Sequence, residues 1–510
     1  MTSHVCTASV IGLDAYPVDV ETDVSPGLPS FTIVGLADAA IQEARERIRS
    51  ALKHTGLSIP KTRVTVNLAP AHLKKVGTLY DVPITLAILH ADGALDTPIP
   101  TDTLFAGELA LDGRIRPIQG ALSLALLAIQ KNYKELIVPA ENAEEAALAE
   151  GVAIYAVSHL HELIQHLRGV RRLPRVICDP QKISSSISLC SYDFSAIRGQ
   201  EQTRRALEIA AAGGHNVLMQ GPPGSGKTLL ARSFASILPA LTRSEQLEAT
   251  RIHSVAGTLT KEGVLGERPF RAPHHGASTA SLIGGGTLPR PGEISLAHRG
   301  VLFLDEFLEF PRTVLESLRQ PLEDGFVSVS RAHGTTLFPA RFILLAAMNP
   351  CPCGYATDTD QRCTCTQWQK EKYYKKLSGP LLDRIDLCLE VPKVKADELL
   401  SLKEAESSAS IRERVQQARD RQAARAKRTG VLTNAELRSD HVRTILIMEE
   451  KARTILSYAL ERYHLSGRAY GRILKVAQTI ADLAAEEVIR APHIAEALRY
   501  RKLVGIPLND

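Results

Sequence analysis

The sequence predicts an α/β protein. Its centre is a doubly wound parallel sheet, with an α+β or α/β domain before it and a helical region after it. Three stretches predict this. Gly221-Pro-Pro-Gly-Ser-Gly-Lys-Thr228 has the glycine spacing of a phosphate loop and ends in Lys and Thr. Gly300-Val-Leu-Phe-Leu-Asp-Glu306 and Phe342-Ile-Leu-Leu-Ala-Ala-Met-Asn349 are apolar runs that end in polar residues. Continuous apolar runs mark strands covered on both faces, and open α/β sheets bind ligands at the carboxyl edge, where those polar residues fall.

Composition narrows the class. A chain of 510 residues exceeds one ordinary core, which predicts about two to four domains. Hydrophobic residues make up 44% and charged residues 23%, the balance of a soluble globular protein. The net charge of +5 is small, so any nucleic-acid surface must be local. No apolar run reaches the roughly 18 residues of a membrane span. The start, Met-Thr-Ser-His-Val-Cys6, has no basic region followed by an apolar core. Eight cysteines are too few for a disulfide scaffold at this length. A cytoplasmic location with no membrane partner is expected.

Residues 1–167 alternate strand-like and helix-like pieces. Phe31–Gly35 and Arg63–Leu68 read as strands. Ala37–His54 reads as an amphipathic helix with Ile41, Ile48, Ala51 and Leu52 on one face. Asp81–His90 has the spacing of a buried helix, and Phe105–Ile115 that of a hairpin turning at Asp112-Gly113. Glu135–Pro139 and Val152–Tyr155 are further strands around an Ala/Glu-rich helix. Residues 168–191 read as a linker, with Arg171-Arg172, Pro174, Pro180 and three serines from Ser184.

In the phosphate loop, Gly221, Pro222, Pro223, Gly224, Ser225 and Gly226 curl so that backbone N–H groups face phosphate oxygens. The helix beginning at Lys227, Thr228 and Leu229 adds its N-terminal partial charge. Lys227 is placed for the β- and γ-phosphates of ATP and Thr228 for Mg²⁺. Asp305, about eighty residues on, suits Mg²⁺, and Glu306 suits polarising the attacking water. Phe326–Phe338 alternates around His333-Gly334 as a β-hairpin does. The adjacent His274-His275 cannot both face one ion from regular structure, which favours a loop role. Cys351, Cys353, Cys363 and Cys365 form two C-x-C pairs, which fit tetrahedral zinc or an iron–sulfur cluster. Residues 411–428 are crowded with arginine, which predicts a solvated helix face or a contact for phosphate backbone.

Several segments resemble the ComM/YifB family of magnesium-chelatase-like ATPases. They are Gly27–Leu36, Val66–Pro70, Lys74–Pro83, Arg268–Ser278, Gly284-Gly-Gly286 and Pro291–Ser295, with Gly276 standing where serine is expected. The resemblance runs from about Gly27 to Tyr500. It implies an AAA+ core over 192–395 with a cysteine loop at 351–365, and a helical lid over 396–510. It also implies a non-catalytic, Lon-protease-like domain over 1–167: Leu79 falls near the nucleophile position, and leucine cannot be a nucleophile. Lys74 and Lys75 are then expected to be solvated or to face nucleic acid.

The family pattern further implies that Ile197 and Gly199 lie near adenine and that Asn349 is sensor 1. Arg384 becomes the arginine finger given to a neighbouring subunit, and Arg468, or else Arg472, becomes sensor 2. Arg331 and His333, on a pore hairpin, become DNA contacts. Structural Zn²⁺ is implied on the four cysteines. The implied assembly is a homo-hexamer acting on single-stranded and branched DNA alongside recombination proteins. Its implied activity is ATP-driven helicase and branch migration during natural transformation. A magnesium-chelatase motor subunit is the alternative.

Overall fold

The computed structural model describes residues 2–178, 192–259, 263–286, 289–331, 334–358, 361–394, 397 and 405–501. The expected linker residues 179–191 lie outside the described residues. The chain forms two compact units, 1–186 with 242–266 and 286–291, and 187–241 with 267–285 and 292–510.

The first unit opens with a hairpin, Thr2–Ile11 against Asp14–Ser25, which sequence reasoning passed over. The second hairpin strand pairs with Arg63–Ala69, and Ser30–Val34 lies parallel to that strand at the sheet edge. The helix expected over 37–54 is divided at Glu43 into Ala39–Gln42 and Ala44–His54, with Ile41, Ile48, Ala51 and Leu52 all buried as anticipated. Asp81–Ala91 is buried almost all round, consistent with a helix that is apolar on every face. A second sheet runs Arg175–Val176, Ala153–Val157, Glu135–Pro139, Thr103–Phe105. Two expectations change here. Leu104, Phe105 and Ala106 are consecutive buried residues, so Phe105 ends a strand covered on both faces, and the hairpin shrinks to Glu108–Leu109 with Ile115–Arg116. Arg175–Val176, inside the expected linker, is a sheet strand.

Lys75 corrects another expectation. It is fully buried, its Nζ donates to the Pro70 carbonyl, and burial pulls its pKa down. Its backbone N–H bonds Leu36 O at 3.2 Å, which carries the residue inward.

The helix Arg243–Ala256 belongs to this first unit although its sequence falls within 192–395. Arg251 donates to Leu13 O and to the Asp14 carboxylate at 2.6 and 2.7 Å. Ser254 Oγ accepts from Gly120 N at 3.1 Å and lies 3.2 Å from the Glu145 carboxylate, which burial pushes up to about 7.

The second unit is organised by five parallel strands in the order Phe270–Arg271, Val301–Leu304, Ile343–Met348, Val217–Gln220, Leu387–Glu390. The three central strands are buried at every position. Phe326–Arg331 pairs antiparallel with Gly334–Pro339, the expected hairpin; His333 lies outside the described residues. The helices Ser408–Thr429, Glu450–Arg462, Gly467–Leu483 and Ala491–Arg499 follow.

Where the sequence predicts a solvated face or a phosphate contact, five arginines of the basic Ser408–Thr429 helix bond within the chain, and Lys427 is exposed. Arg412 donates to Ser236 O at 2.6 Å, Arg419 to Ala211 O at 2.8 Å and Arg421 to Asp482 O at 2.9 Å. Those carbonyls sit in the last turns of other helices, where acceptors lack intrahelical partners and cations are favoured. Arg414 pairs with Glu208 and Glu406, and Arg425 with Asp482.

Asp482 has no exposed side-chain surface and also accepts from Asn434 Nδ2 at 2.8 Å and Gln478 Nε2 at 3.1 Å. Removing one partner of such a pair strands the others. Asp482→Ala is therefore expected to cost about 3 kcal/mol, read as a lower chemical-denaturation midpoint with an unchanged slope.

Candidate active site

The strand Val217–Gln220 delivers the chain into the phosphate loop, and the helix Lys227–Phe234 leaves it. Gly224 and Gly226 have φ of +76° and +86°, which L side chains rarely adopt, so the loop curls there. Gly221 serves a different need. A Cβ on it would sit 2.2 Å from Val391 O, so glycine lets the loop pass the neighbouring strand.

Lys227 is largely buried. Its Nζ donates to Gly221 O at 2.7 Å and Pro222 O at 2.8 Å, and lies 3.4 Å from Ser225 Oγ and Asn349 Oδ1. Burial draws its pKa down to about 8, partly offset by the Asp305 charge. Thr228 Oγ1 donates to Asp305 Oδ2 at 2.7 Å, so the hydroxyl and carboxylate expected at Mg²⁺ share one place. A hydroxyl and a carboxylate are hard oxygen donors of the kind Mg²⁺ takes, an ion that usually keeps waters and substrate phosphates as its other ligands.

Glu306 follows immediately. Its backbone is left-handed at φ +50°, unusual for a non-glycine residue, and its N–H donates to Asp305 Oδ1 at 2.9 Å. Its carboxylate is half exposed and lies 3.0 Å from His275 Nδ1. His275, in a loop as expected, stacks on His274 with ring centroids 4.0 Å apart. Sequence reasoning missed this partner of Glu306, because nothing local signals a contact 31 positions away.

The cysteines converge: Cys351 Sγ lies 3.3 Å from Cys353 Sγ and 3.7 Å from Cys363 Sγ, which is itself 3.7 Å from Cys353 Sγ. Cys365 Sγ accepts from Cys353 N at 3.3 Å. All four ligand atoms fall within 4.8 Å of one another. Tetrahedral zinc at about 2.3 Å from each sulfur needs sulfur separations of about 3.7 Å, so the set fits that ion. Gly354 of this loop packs on the phosphate loop, where a Cβ would meet Pro223 at 2.7 Å.

Each of the arginines has partners of its own. Arg384 is 9% exposed, ion-paired with Glu323 and donating to Pro380 O at 2.6 Å. In the single chain, that carboxylate and that carbonyl are its partners. Arg468 is 61% exposed, 3.8 Å from Asp383, whereas Arg472 is tied to Ile385 O at 3.1 Å. Ile197 is buried in the core and Gly199 is left-handed at φ +60°. Arg331 ends a hairpin strand.

Gly221→Ala is expected to weaken nucleotide binding at least tenfold and cost about 2 kcal/mol of stability, because backbone rather than a side-chain tip must yield. Titration with a fluorescent ATP analogue and thermal melting check both effects.

Three family models match the chain. They are described as magnesium chelatase, subunit ChlI, over residues 193–399; subunit ChlI of Mg-chelatase, over 20–142; and the subunit ChlI C-terminal, over 405–501. Competence protein ComM of Haemophilus influenzae is 44% identical over 498 residues, covering 97% of this chain and 96% of that protein. YifB of Escherichia coli is 42% identical, covering 98% and 97%. The magnesium-chelatase 38 kDa subunit of Acidiphilium rubrum is 29% identical over 39% of this chain and 58% of its own. With a parallel-sheet phosphate-loop core, a helical C-terminal region and similarity along nearly its whole length, the chain belongs to the ComM/YifB family of magnesium-chelatase-like AAA+ ATPases.

Proposed function

We propose that the chain is an ATP-driven hexameric motor on DNA, promoting helicase and branch-migration activity as incoming single strands recombine during natural transformation. The observation that carries this reading is the near-full-length similarity to a protein named for competence. The meeting of Lys227, Thr228, Asp305 and Asn349 at one sheet edge supports the ATPase part.

In this mechanism, Thr228 and Asp305 would hold Mg²⁺, which would supply neutralisation of phosphate charge. The N–H groups of the 221–228 loop cradle the phosphates, and Lys227 exchanges the loop carbonyls for the β- and γ-oxygens. Glu306 leaves His275 to orient and deprotonate the attacking water, with Asn349 beside it. Arg468, the exposed arginine of its helix, takes the sensor 2 role, with Arg472 as its support. Arg384 acts in trans only by exchanging Glu323 for the neighbouring subunit's γ-phosphate, which ties turnover to ring closure. Ile197 and Gly199 flank adenine, and the hairpin bearing Arg331 and His333 meets DNA. The four cysteines would hold Zn²⁺, which would cross-link the loop whose Gly354 packs on Pro223.

A magnesium-chelatase-type motor subunit working on something other than DNA is the second reading, favoured because all three family models carry that subunit's name.

ATP hydrolysis measured with and without single-stranded and four-way-junction DNA separates the two. DNA is expected to stimulate turnover several-fold, and Glu306→Gln to lower it at least about 100-fold under every condition. Robust turnover indifferent to DNA would return the second reading to the front. Elemental analysis of protein purified without chelator is expected to find about one zinc per chain, lost in Cys353→Ser with Cys363→Ser.

A further inference from the structure

The helix Gln367–Tyr374, just beyond the cysteine loop, combines three properties. It carries the only tryptophan in the sequence, and Trp368 is 66% exposed. A tryptophan that buries so little of its ring contributes little to folding, and tryptophan is enriched where proteins make contacts because it pairs a large apolar ring with a polar N–H. The helix surface is also basic. Lys372 Nζ lies 5.0 Å from the indole ring centroid, and Lys370 and Lys375 flank it in sequence with Glu371 as the single acid of the helix. An exposed ring among lysines is the combination with which proteins hold single strands, since every base has a π-face and every linkage a negative charge.

The third property is where the helix is fastened. Its N-terminus is capped by Thr366, next to Cys365, through a reciprocal capping box with Gln369. At its other end Tyr374 Oη donates to Pro350 O at 2.6 Å and accepts from Gln220 Nε2 at 2.8 Å. Lys376 Nζ donates to Leu308 O at 2.7 Å. Gln220 immediately precedes the phosphate loop, Pro350 follows Asn349, and Leu308 lies two residues beyond Glu306. The helix and the turn after it are thus hydrogen-bonded to the last residue of one of the three strands that carry the ATPase groups and to the segments that follow the other two.

We propose that this helix is a contact for single-stranded nucleic acid. Trp368 stacks on a base, Lys372 and Lys375, four and seven positions on and so on the same helix face, take the adjoining phosphates, and Tyr374 and Lys376 link the contact to the nucleotide site. The proposal rests on the reading of the chain as a DNA motor and names a surface for its substrate distinct from the Phe326–Pro339 hairpin. Strand binding at this helix bears on Gln220, Pro350 and Leu308 together, which is the physical route by which DNA raises ATP turnover.

The single tryptophan makes a direct test possible in the full-length protein. Tryptophan emission is followed while oligo(dT) is added, beside anisotropy of a labelled oligo(dT) and ATP turnover. The expected result is saturable quenching with the dissociation constant given by anisotropy. Trp368→Ala is expected to weaken oligo(dT) binding about tenfold and abolish stimulation by DNA. Turnover without DNA should stay within about twofold, and Trp368→Phe, which keeps a stacking ring, should retain much of the stimulation. If oligo(dT) binds and stimulates while emission is unmoved and Trp368→Ala behaves as wild type, the helix is not the contact and the motor reading survives. If oligo(dT) does not bind at all, both fail. Emission that follows protein concentration instead of oligo(dT) would mean that a second copy covers the ring, and would overturn the proposal.

Discussion

The catalytic edge depends on the register of buried parallel strands. Val217 stands opposite Leu345 on one side and Leu387 on the other, and Val301 stands opposite Ile343. With side chains buried on both faces, a slip by one residue would exchange the entire packing of each strand, so the pairing is strongly specified. Because the strands run parallel and stop together, Gly221, Asp305 and Asn349 emerge at one edge. Asn216 fixes the opposite end. Its N–H donates to the Asp386 carboxylate, its Nδ2 to Arg384 O, and its Oδ1 accepts from Leu344 N, tying three strand starts together. Although burial opposes it, His215, Arg472 and Lys475 hold the Asp386 carboxyl well below the usual carboxylate range, so this anchor stays charged.

The second unit uses most of its arginine on itself. Arg412, Arg419 and Arg421 each end on a carbonyl in a helix's last turn, a position where a guanidinium with several fixed donors serves better than an ammonium. This separates formal charge from available charge. A helix can be the most basic stretch of a sequence and have little left for phosphate. Lys372 is the contrasting case, a single ammonium placed beside an exposed ring.

The ATPase groups are themselves held in pairs. The Lys227 ammonium is satisfied by two loop carbonyls, Thr228 by Asp305, and Glu306 by His275 across a left-handed backbone. Under the proposed mechanism each of these bonds would be exchanged for a contact with substrate, so phosphate binding and water activation would compete with internal partners. A strained φ at Glu306 is the kind of local cost that a functional position retains because the surrounding structure enforces it.

Much of this was legible in the sequence. The 221–228 loop carries its chemistry in consecutive residues, and the runs ending at Asp305 and Asn349 declare buried strands by composition, so the core fold and its main groups followed from local pattern. The cysteine pairs likewise announced a cluster by spacing alone. The buried helix face of Ile41, Ile48, Ala51 and Leu52 followed from periodicity. What the sequence could not decide were contacts between distant segments. Arg243–Ala256 joins the first unit because Arg251 and Ser254 find partners near residues 13 and 120, which no local pattern encodes. Lys75 goes inside because a backbone bond to Leu36 carries it there. Arg384 faces Glu323, His275 faces Glu306, and the basic helix turns inward, all through pairings of charge and hydrogen-bond donors across tens to hundreds of positions. Local pattern fixes which segments form strands, helices and phosphate loops, since those depend on neighbours in the chain. Which charges stay free to act is decided only when the tertiary structure brings their partners within bonding distance.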